Sequence, residues 1–408
     1  MENAALISGY SLALPYANHP EQLMNNLRQG MCVNTAPWFA SEEEAIKCGF
    51  KRNVSVARLN ATKESDLDLI YRLIEEAMAQ AGLTSAALAG ESVRVYLTGL
   101  GPRIDAMDYK SFYDKNDIED VALSASIKNL HVRNMSQDYL AFKLAEKYRL
   151  QILPAAMHCT SNSALTAIHL GCQAIERGGL DLVCIINCSK INTQDIWFLE
   201  NQSMLASKVV QPFGKNSQAV LFAEGCSVML LERDGYRGSQ ERNTTVRLKS
   251  NYIQTSAGRS HDTGWLSSNL LKVMRSVLSE AAVTTEQLCA IIPHGNGSLT
   301  SDKSEAKAIS MLVGEQKIPL LAYKGMMGYT ATGSGLIDLI IGAEALRKGE
   351  LIPAVANDEI SDEISHQLLV NQPVMPHQKL HLLKTGLGVD GSIIGVVISL
   401  FAKEETSR

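Results

Sequence analysis

The feature that most constrains the fold is a helix, turn and strand unit that occurs at corresponding places in the two parts of the chain. An amphipathic stretch over 65–81 carries Leu69, Ile70, Leu73, Ile74 and Met78 on one face, with Ser65 placed to cap it. It passes through Ala81-Gly82-Leu83-Thr84-Ser85 into an apolar, β-branched run over 93–97. The same order returns over 270–282, through Val283-Thr284-Thr285-Glu286-Gln287-Leu288, into 289–293. A second pair repeats the logic: a helical pattern over 335–347 runs on through Lys348-Gly349-Glu350-Leu351-Ile352, as the helix after residue 159 runs on through Arg177-Gly178-Gly179-Leu180-Asp181. Units of this kind bury their apolar faces by stacking, so the pattern predicts two similar α/β halves, each a buried sheet covered by helices. Between them, residues 234–245 turn to Arg, Gly, Ser, Gln and Asn, the composition of a boundary. The predicted division is 1–240, carrying Cys159, and 241–408, carrying His294, Lys324 and Tyr329.

Other elements follow from periodicity. Strands are expected at 5–9, 181–188 and 228–232, and helices at 20–30 and 137–149. Residues 31–60 read as irregular and 101–135 as loop-rich. The run 321–329 reads as a strand leading through glycines into a small-residue helix, and 384–392 as a glycine-rich loop feeding a last strand over 393–401. That loop has no Gly-Lys-Ser/Thr ending and no following helix, so it is not a phosphate loop.

Composition narrows the function class. With 408 residues and 46% hydrophobic content the chain can bury a large core. Thirty-eight basic against 43 acidic residues give a net charge of -5, which offers no footprint for nucleic acid. The absence of a run of about 18 apolar residues argues against a membrane span, and the N-terminal residues lack the pattern of a signal peptide. A cytoplasmic protein is the expectation. The eight cysteines form no Cys-x-x-Cys pair and mostly lie in apolar segments, as reduced core thiols do, so no metal site is expected.

One cysteine stands apart. The run 150–157 delivers Cys159 into Thr160-Ser161-Asn162-Ser163, ahead of a helical pattern. A thiol at such a strand-to-helix turn feels the positive end of the helix dipole, which favours the thiolate. Free backbone N–H groups there can also hold the oxygen of an acylated cysteine, so Cys159 is a candidate nucleophile and oxyanion site. The alternative is a buried, inert thiol. His294, in Pro293-His294-Gly295-Asn296-Gly297-Ser298, ends a strand beside glycines that let another segment approach; the alternative is a locally bonded loop histidine. Lys324 lies between apolar neighbours and either stays at the surface or pairs with a carboxylate such as Glu305.

Taken in order, these segments resemble the elongating β-ketoacyl-acyl carrier protein synthases of the thiolase-like superfamily, including the ketosynthases and chain length factors of type II polyketide pathways. Pro212-Phe213-Gly214-Lys215 through Ala223-Glu224-Gly225 to Leu231-Glu232 keeps that family's spacing, as do His294 to Ser298 with Asp302, Glu305, Ala306 and Lys307, and Lys324-Gly325-Met326-Met327-Gly328-Tyr329. The resemblance implies an α/β thiolase-like fold: duplicated halves in a five-layered αβαβα arrangement, normally dimeric. It makes Cys159 the acyl-accepting nucleophile, His294 the first active-site histidine, Lys324 with Glu305 a supporting charge pair, and Leu387 the residue of the gating loop. No metal, nucleotide or flavin is implied, because the phosphopantetheine arm arrives on the acyl carrier protein.

Departures from the family pattern matter as much. Tyr329 stands where the second catalytic histidine belongs, and a phenol with a reference pKa near ~10 is no ready substitute for an imidazole. Leu387 replaces a phenylalanine gate. Gly214, Ser217 and Gln218 replace Asp, Arg and Asp. The leading expectation is a chain-length-factor-like subunit that pairs with an active, homologous ketosynthase and shapes the acyl tunnel. The second is an active condensing enzyme, as a homodimer or heterodimer, with an atypical Cys159, His294 and Tyr329 site. A structural protein with no acyl chemistry comes third.

Overall fold

The computed structural model describes residues 3–59, 64–99, 101, 103–115, 137–237, 246–255 and 262–401. Among them nine strands form one mixed sheet: β1 (Ala5–Ala13), β2 (Val93–Thr98), β3 (Ala155–Met157), β4 (Leu182–Ser189), β5 (Gly225–Arg233), β6 (Val246–Thr255), β7 (Leu288–Ile292), β8 (His381–Leu387) and β9 (Ser392–Leu400). Their order is β3-β2-β4-β5-β1-β6-β9-β8-β7.

The duplication is written in the pairing. In the first half β1 and β5, and β5 and β4, are antiparallel, while β4 with β2 and β2 with β3 are parallel. In the second half β6 and β9, and β9 and β8, are antiparallel, β8 with β7 is parallel, and Ile291 at the edge bridges in parallel to Leu320. The two halves meet where β1 runs antiparallel to β6, with Ala5, Leu6 and Ile7 opposite Leu248, Arg247 and Val246.

Helices occupy equivalent crossovers. They are α1 (Pro20–Arg28), α2 (Asp66–Gln80), α3 (Gln137–Tyr148), α4 (Ser163–Glu176), α5 (Thr263–Ala281), α6 (Leu299–Val313), a single turn α7 (Lys324–Met327) and α8 (Ser334–Lys348). Strand alternation then sorts side chains into three cores. Leu182, Cys184 and Ile186 of β4 pack with α2 and α3, whereas Val183 and Ile185 face α4 and α8. Likewise Leu383 and Val397 pack with α5 and α6, whereas Leu382, Val396 and Ile398 face α4 and α8. Two outer helix layers, two sheet layers and a shared central layer give the five-layered thiolase-like α/β fold.

The central layer explains the composition of α8. Every residue from Ser334 to Leu346 is buried, as a helix covered on all sides requires. Its carboxylates are therefore paired: Asp338 with two lysines, and Glu344 with Arg347 and the Tyr10 hydroxyl.

Several boundaries differ from the sequence reading. The stretch 384–387 is not loop but the end of β8, and the turn is confined to 388–391, because Gly386 packs so close to Asn162 that a Cβ there would lie 2.3 Å from its Oδ1. The strand expected through 321–329 does not form: isolated bridges at Leu320 and Tyr329 flank the single turn α7. Within 31–60 there is a helix, Glu42–Lys47, and a two-stranded pairing of Ala36–Pro37 with Ser55–Val56. The loop-rich stretch 101–135 contains the helix Ala106–Lys115; its residues 116–135, and 238–245 of the predicted boundary, lie outside the described residues. Ser65 does cap α2, its hydroxyl accepting the Asp68 N–H at 3.1 Å.

Ile340, wholly buried in the central layer, and Ser65 make a graded test. Ile340→Ala is expected to lower unfolding free energy by about 2–5 kcal/mol, and Ser65→Ala by about 0.5–2 kcal/mol, both read from urea denaturation; a smaller loss at Ile340 than at Ser65 would contradict the central-layer assignment.

Candidate active site

Cys159 follows β3 and precedes a single tight turn, Thr160–Asn162, after which α4 begins at Ser163. Thr160 is left-handed at φ 45°, an unfavourable conformation for a β-branched residue. Side-chain hydrogen bonds hold it. The Ser163 hydroxyl donates to Thr160 O at 2.8 Å and accepts the Cys159 N–H at 2.9 Å, while the Asn162 amide donates to Ser392 O and Oγ at 3.0 and 2.8 Å. The expectation of a free Cys159 N–H for an oxyanion is thus corrected: Ser163 already accepts from it. The thiol itself is half-buried.

His294 is held through its backbone. Glu305 Oε1 accepts the His294 N–H at 2.9 Å and Oε2 the Gly295 N–H at 2.8 Å. On the next turn of α6, Asp302 accepts N–H groups of Phe213, Asn296 and Gly297 at 2.7, 3.1 and 3.0 Å. Burial nonetheless pushes Asp302 up to about 7. Gly297, at φ 92°, is required by a close approach, since a Cβ would lie 2.4 Å from Ala219 O.

Lys324 does not pair directly with Glu305. Its Nζ donates to Asp338 Oδ2 at 2.7 Å and to His294 O at 2.6 Å. The reason is that Glu305 is committed to the strand-end N–H groups and to the Thr385 hydroxyl at 2.5 Å, whereas Asp338 on α8 faces α7. Asp338 also holds Lys384 at 2.7 Å.

Tyr329 meets the sequence-predicted histidine. Their rings stand edge to face at 5.7 Å and 85°, and the phenol shares a 2.5 Å hydrogen bond with the Ser161 hydroxyl, two residues after Cys159. Burial pushes the phenol up to about 12 against the pull of Ser161 and Asn296. His294 is held well below the ordinary imidazole range, first by burial and then by Lys324 and Lys384, so it is neutral. Its Nε2 lies 3.1 Å from Asn296 Nδ2. Asn296 Oδ1 is occupied by Ser298 N–H and the Ser301 hydroxyl, so Nδ2 faces the ring as a donor. Nε2 therefore accepts, and the proton of the neutral ring resides on Nδ1.

Leu387 packs in the outer core with Phe213 and Ile393, on the face of β8 opposite Gly386 and α4. In that loop it is Val389 that packs against the cluster holding Tyr329. Sequence reading missed the parts played by Ser161, Asn296, Asp338 and Lys384. A carboxylate in the middle of the apolar 334–343 run, and a lysine within the apolar 382–387 strand, were available signals for the last two. Among the described residues no cluster of three or more His, Cys, Asp or Glu is placed to hold a metal ion, and no helix is long and apolar enough to cross a membrane.

Two family models match: the beta-ketoacyl synthase N-terminal domain over 3–235 and its C-terminal domain over 253–358. The chain belongs to the beta-ketoacyl synthase family. Relatives include the pikromycin polyketide synthase component PikAII of Streptomyces venezuelae, 24% identical over 299 residues, and erythronolide synthase EryA2 of Saccharopolyspora erythraea, 24% identical over 251 residues. The matches cover 71% and 59% of this chain but only 8% and 7% of those much longer proteins. Among solved structures, a type II acyl-carrier protein complex with its ketosynthase, AntDE:AntF, superposes with TM-score 0.82 at 17% identity, and the ishigamide ketosynthase/chain length factor with 0.81 at 18%. Each covers 98% of this chain and 100% of the matched one.

The neutral state of His294 has a stability consequence. Below about pH 6.5 the unfolded chain takes a proton on this side chain that the folded chain refuses, so stability falls as pH drops through that value. His294→Gln should lose less stability than the unsubstituted chain between about pH 7.5 and 5 in urea titrations; equal losses would mean that His294 protonates normally in the fold.

Proposed function

We propose that this chain is a chain-length-factor-like subunit of a type II polyketide or fatty-acid-like synthase: it pairs with an active, homologous ketosynthase, shapes the acyl tunnel and contributes little condensation itself. The observation that carries this reading is the environment of His294. Decarboxylative condensation needs donors aimed at the enolate oxygen that develops when malonyl loses carbon dioxide. Here Nε2 of His294 accepts from Asn296, and the residue beside it is a phenol tied to Ser161. The Cys159 N–H is likewise engaged by Ser163. Imidazole and neighbouring phenol stand together, but their hydrogen-bonding capacity is taken up by Asn296 and Ser161.

A second reading is supported by a different observation. The half-buried thiol of Cys159 and the neutral imidazole of His294 are what an acyl transfer needs: a thiolate that attacks a thioester, forms the new C–S bond and releases the carrier thiol. In this alternative the chain is itself a β-ketoacyl-ACP synthase with a Cys159, His294 and Tyr329 site. Both readings share an acyl carrier protein as partner, which is supported by two structures of the same fold, the AntDE:AntF carrier-protein complex and the ishigamide ketosynthase/chain length factor.

Intact-mass analysis separates them. After incubation with acyl-loaded carrier protein and any co-encoded ketosynthase, an adduct is expected on that ketosynthase and none on Cys159; a stable adduct on Cys159 favours the enzyme. In the assembled pair Cys159→Ala should leave product formation nearly unchanged, and a loss of about 100-fold, equivalent to about 2.7 kcal/mol, would sink the partner reading. Tyr329→His restores an imidazole next to His294 and is expected to raise malonyl decarboxylation, measured as carbon dioxide release.

A further inference from the structure

The end of β7 is gripped by two buried ammonium groups on successive carbonyls. Lys324 Nζ donates to His294 O at 2.6 Å, and Lys384 Nζ donates to Pro293 O at 3.1 Å. Both also reach the same oxygen, Asp338 Oδ2, at 2.7 Å. None of the three side chains is more than 2% exposed. Lys384 arrives there by strand alternation: Leu382 and Gly386 on its face of β8 turn toward α4 and α8, whereas Leu383, Thr385 and Leu387 turn toward α5 and α6.

One carboxylate cannot balance two ammonium ions away from water. The second negative charge is Glu305, wholly buried, which binds the N–H groups of His294 and Gly295 from the other side. The His294 peptide is therefore held at its N–H by an anion and at its C=O by a cation, within a cluster of two carboxylates and two ammoniums. Taking away one ammonium leaves an excess negative charge. Lys384 is also one of the charges that hold the imidazole low, so removing it makes proton uptake by His294 easier.

We infer that Lys384 is a positioning residue for His294: together with Lys324 it fixes Asp338 and the Pro293–His294 carbonyls, and it keeps the imidazole unprotonated. The inference rests on the reading that His294 faces the acyl thiol, and it extends that reading to a second lysine. The charged groups facing Lys384 are Asp338 from α8, Lys324 from α7 and Glu305 with the neighbouring Asp302 from α6, with His294 at the end of β7. Burial already draws Lys384 down to about 8, with Lys324 adding to the effect and Asp338 opposing it.

The test is an NMR titration of the full-length chain labelled at histidine Cε1 with carbon-13, the His294 signal being identified by its loss in His294→Gln. In the unsubstituted chain His294 is expected to stay neutral through the ordinary imidazole range and to show a small step near pH 8 as Lys384 loses its proton. Lys384→Met should raise the His294 midpoint by about one unit or more, a tenfold change in proton affinity, and Lys384→Arg should restore the original behaviour. An unchanged midpoint in Lys384→Met overturns the inference, as does a His294 that titrates near its ordinary value in the unsubstituted chain. If Lys384→Met does not fold, the step near pH 8 decides, and its absence counts against Lys384. The readout needs no turnover. An acyl adduct on Cys159 would therefore overturn the partner reading while leaving this inference standing.

Discussion

Everything at the centre of this molecule depends on neutralising charge where water is absent. Helices α4 and α8 lie between the two halves of the sheet, and α8 is buried over its whole length up to Leu346. A carboxylate on such a helix is tolerated only when cations reach it. Asp338 is that carboxylate, and Lys324 and Lys384 are the cations. Because the same lysines bind the carbonyls of Pro293 and His294, charge balance in the central layer and placement of the candidate catalytic histidine are one interaction.

The duplicated topology delivers the remaining groups. In each half the central helix, α4 or α8, follows a chain segment at the outer edge of the sheet, and the turn before it brings a functional side chain inward: Cys159 and Ser161 ahead of α4, and Tyr329 ahead of α8. The two turns touch through the bond between Ser161 and Tyr329. This sets the phenol edge to face with the His294 imidazole on the Cys159 side of the fold, with Asn296 bonded to that imidazole. The polar groups satisfy one another, which stabilises the arrangement and limits what it offers to a developing negative charge. That balance, more than the identity of the nucleophile, is what favours a shaping role.

Much of this was legible in the residues. Helix α2, its serine cap, strands β2 and β4 and the repeated crossover order follow from periodicity and end signals, because local burial patterns follow the 3.6 and 2.0 periods directly. Strands β6 and β8 were harder, since one borders a polar stretch and the other carries Lys384, Thr385 and Gly386 in what resembles a loop. Their burial comes from neighbours distant in sequence. The residue types at Cys159, His294 and Lys324, set in glycine-rich surroundings, likewise marked the site.

What sequence alone determined is therefore the set of chemically capable residues and the alternating helix and strand framework, both carried by near neighbours along the chain. Tertiary structure decided the partners. It assigned Lys324 to Asp338 rather than Glu305, turned Leu387 into the outer core, engaged the Cys159 N–H with Ser163, and brought Lys384 beneath His294. Hydrogen bonds and ion pairs in a buried site join atoms separated by up to 230 residues, as between Asn162 and Ser392. Their geometry exists only after the sheet halves have closed around the central helices, where water no longer competes and each polar group must find a partner within the protein.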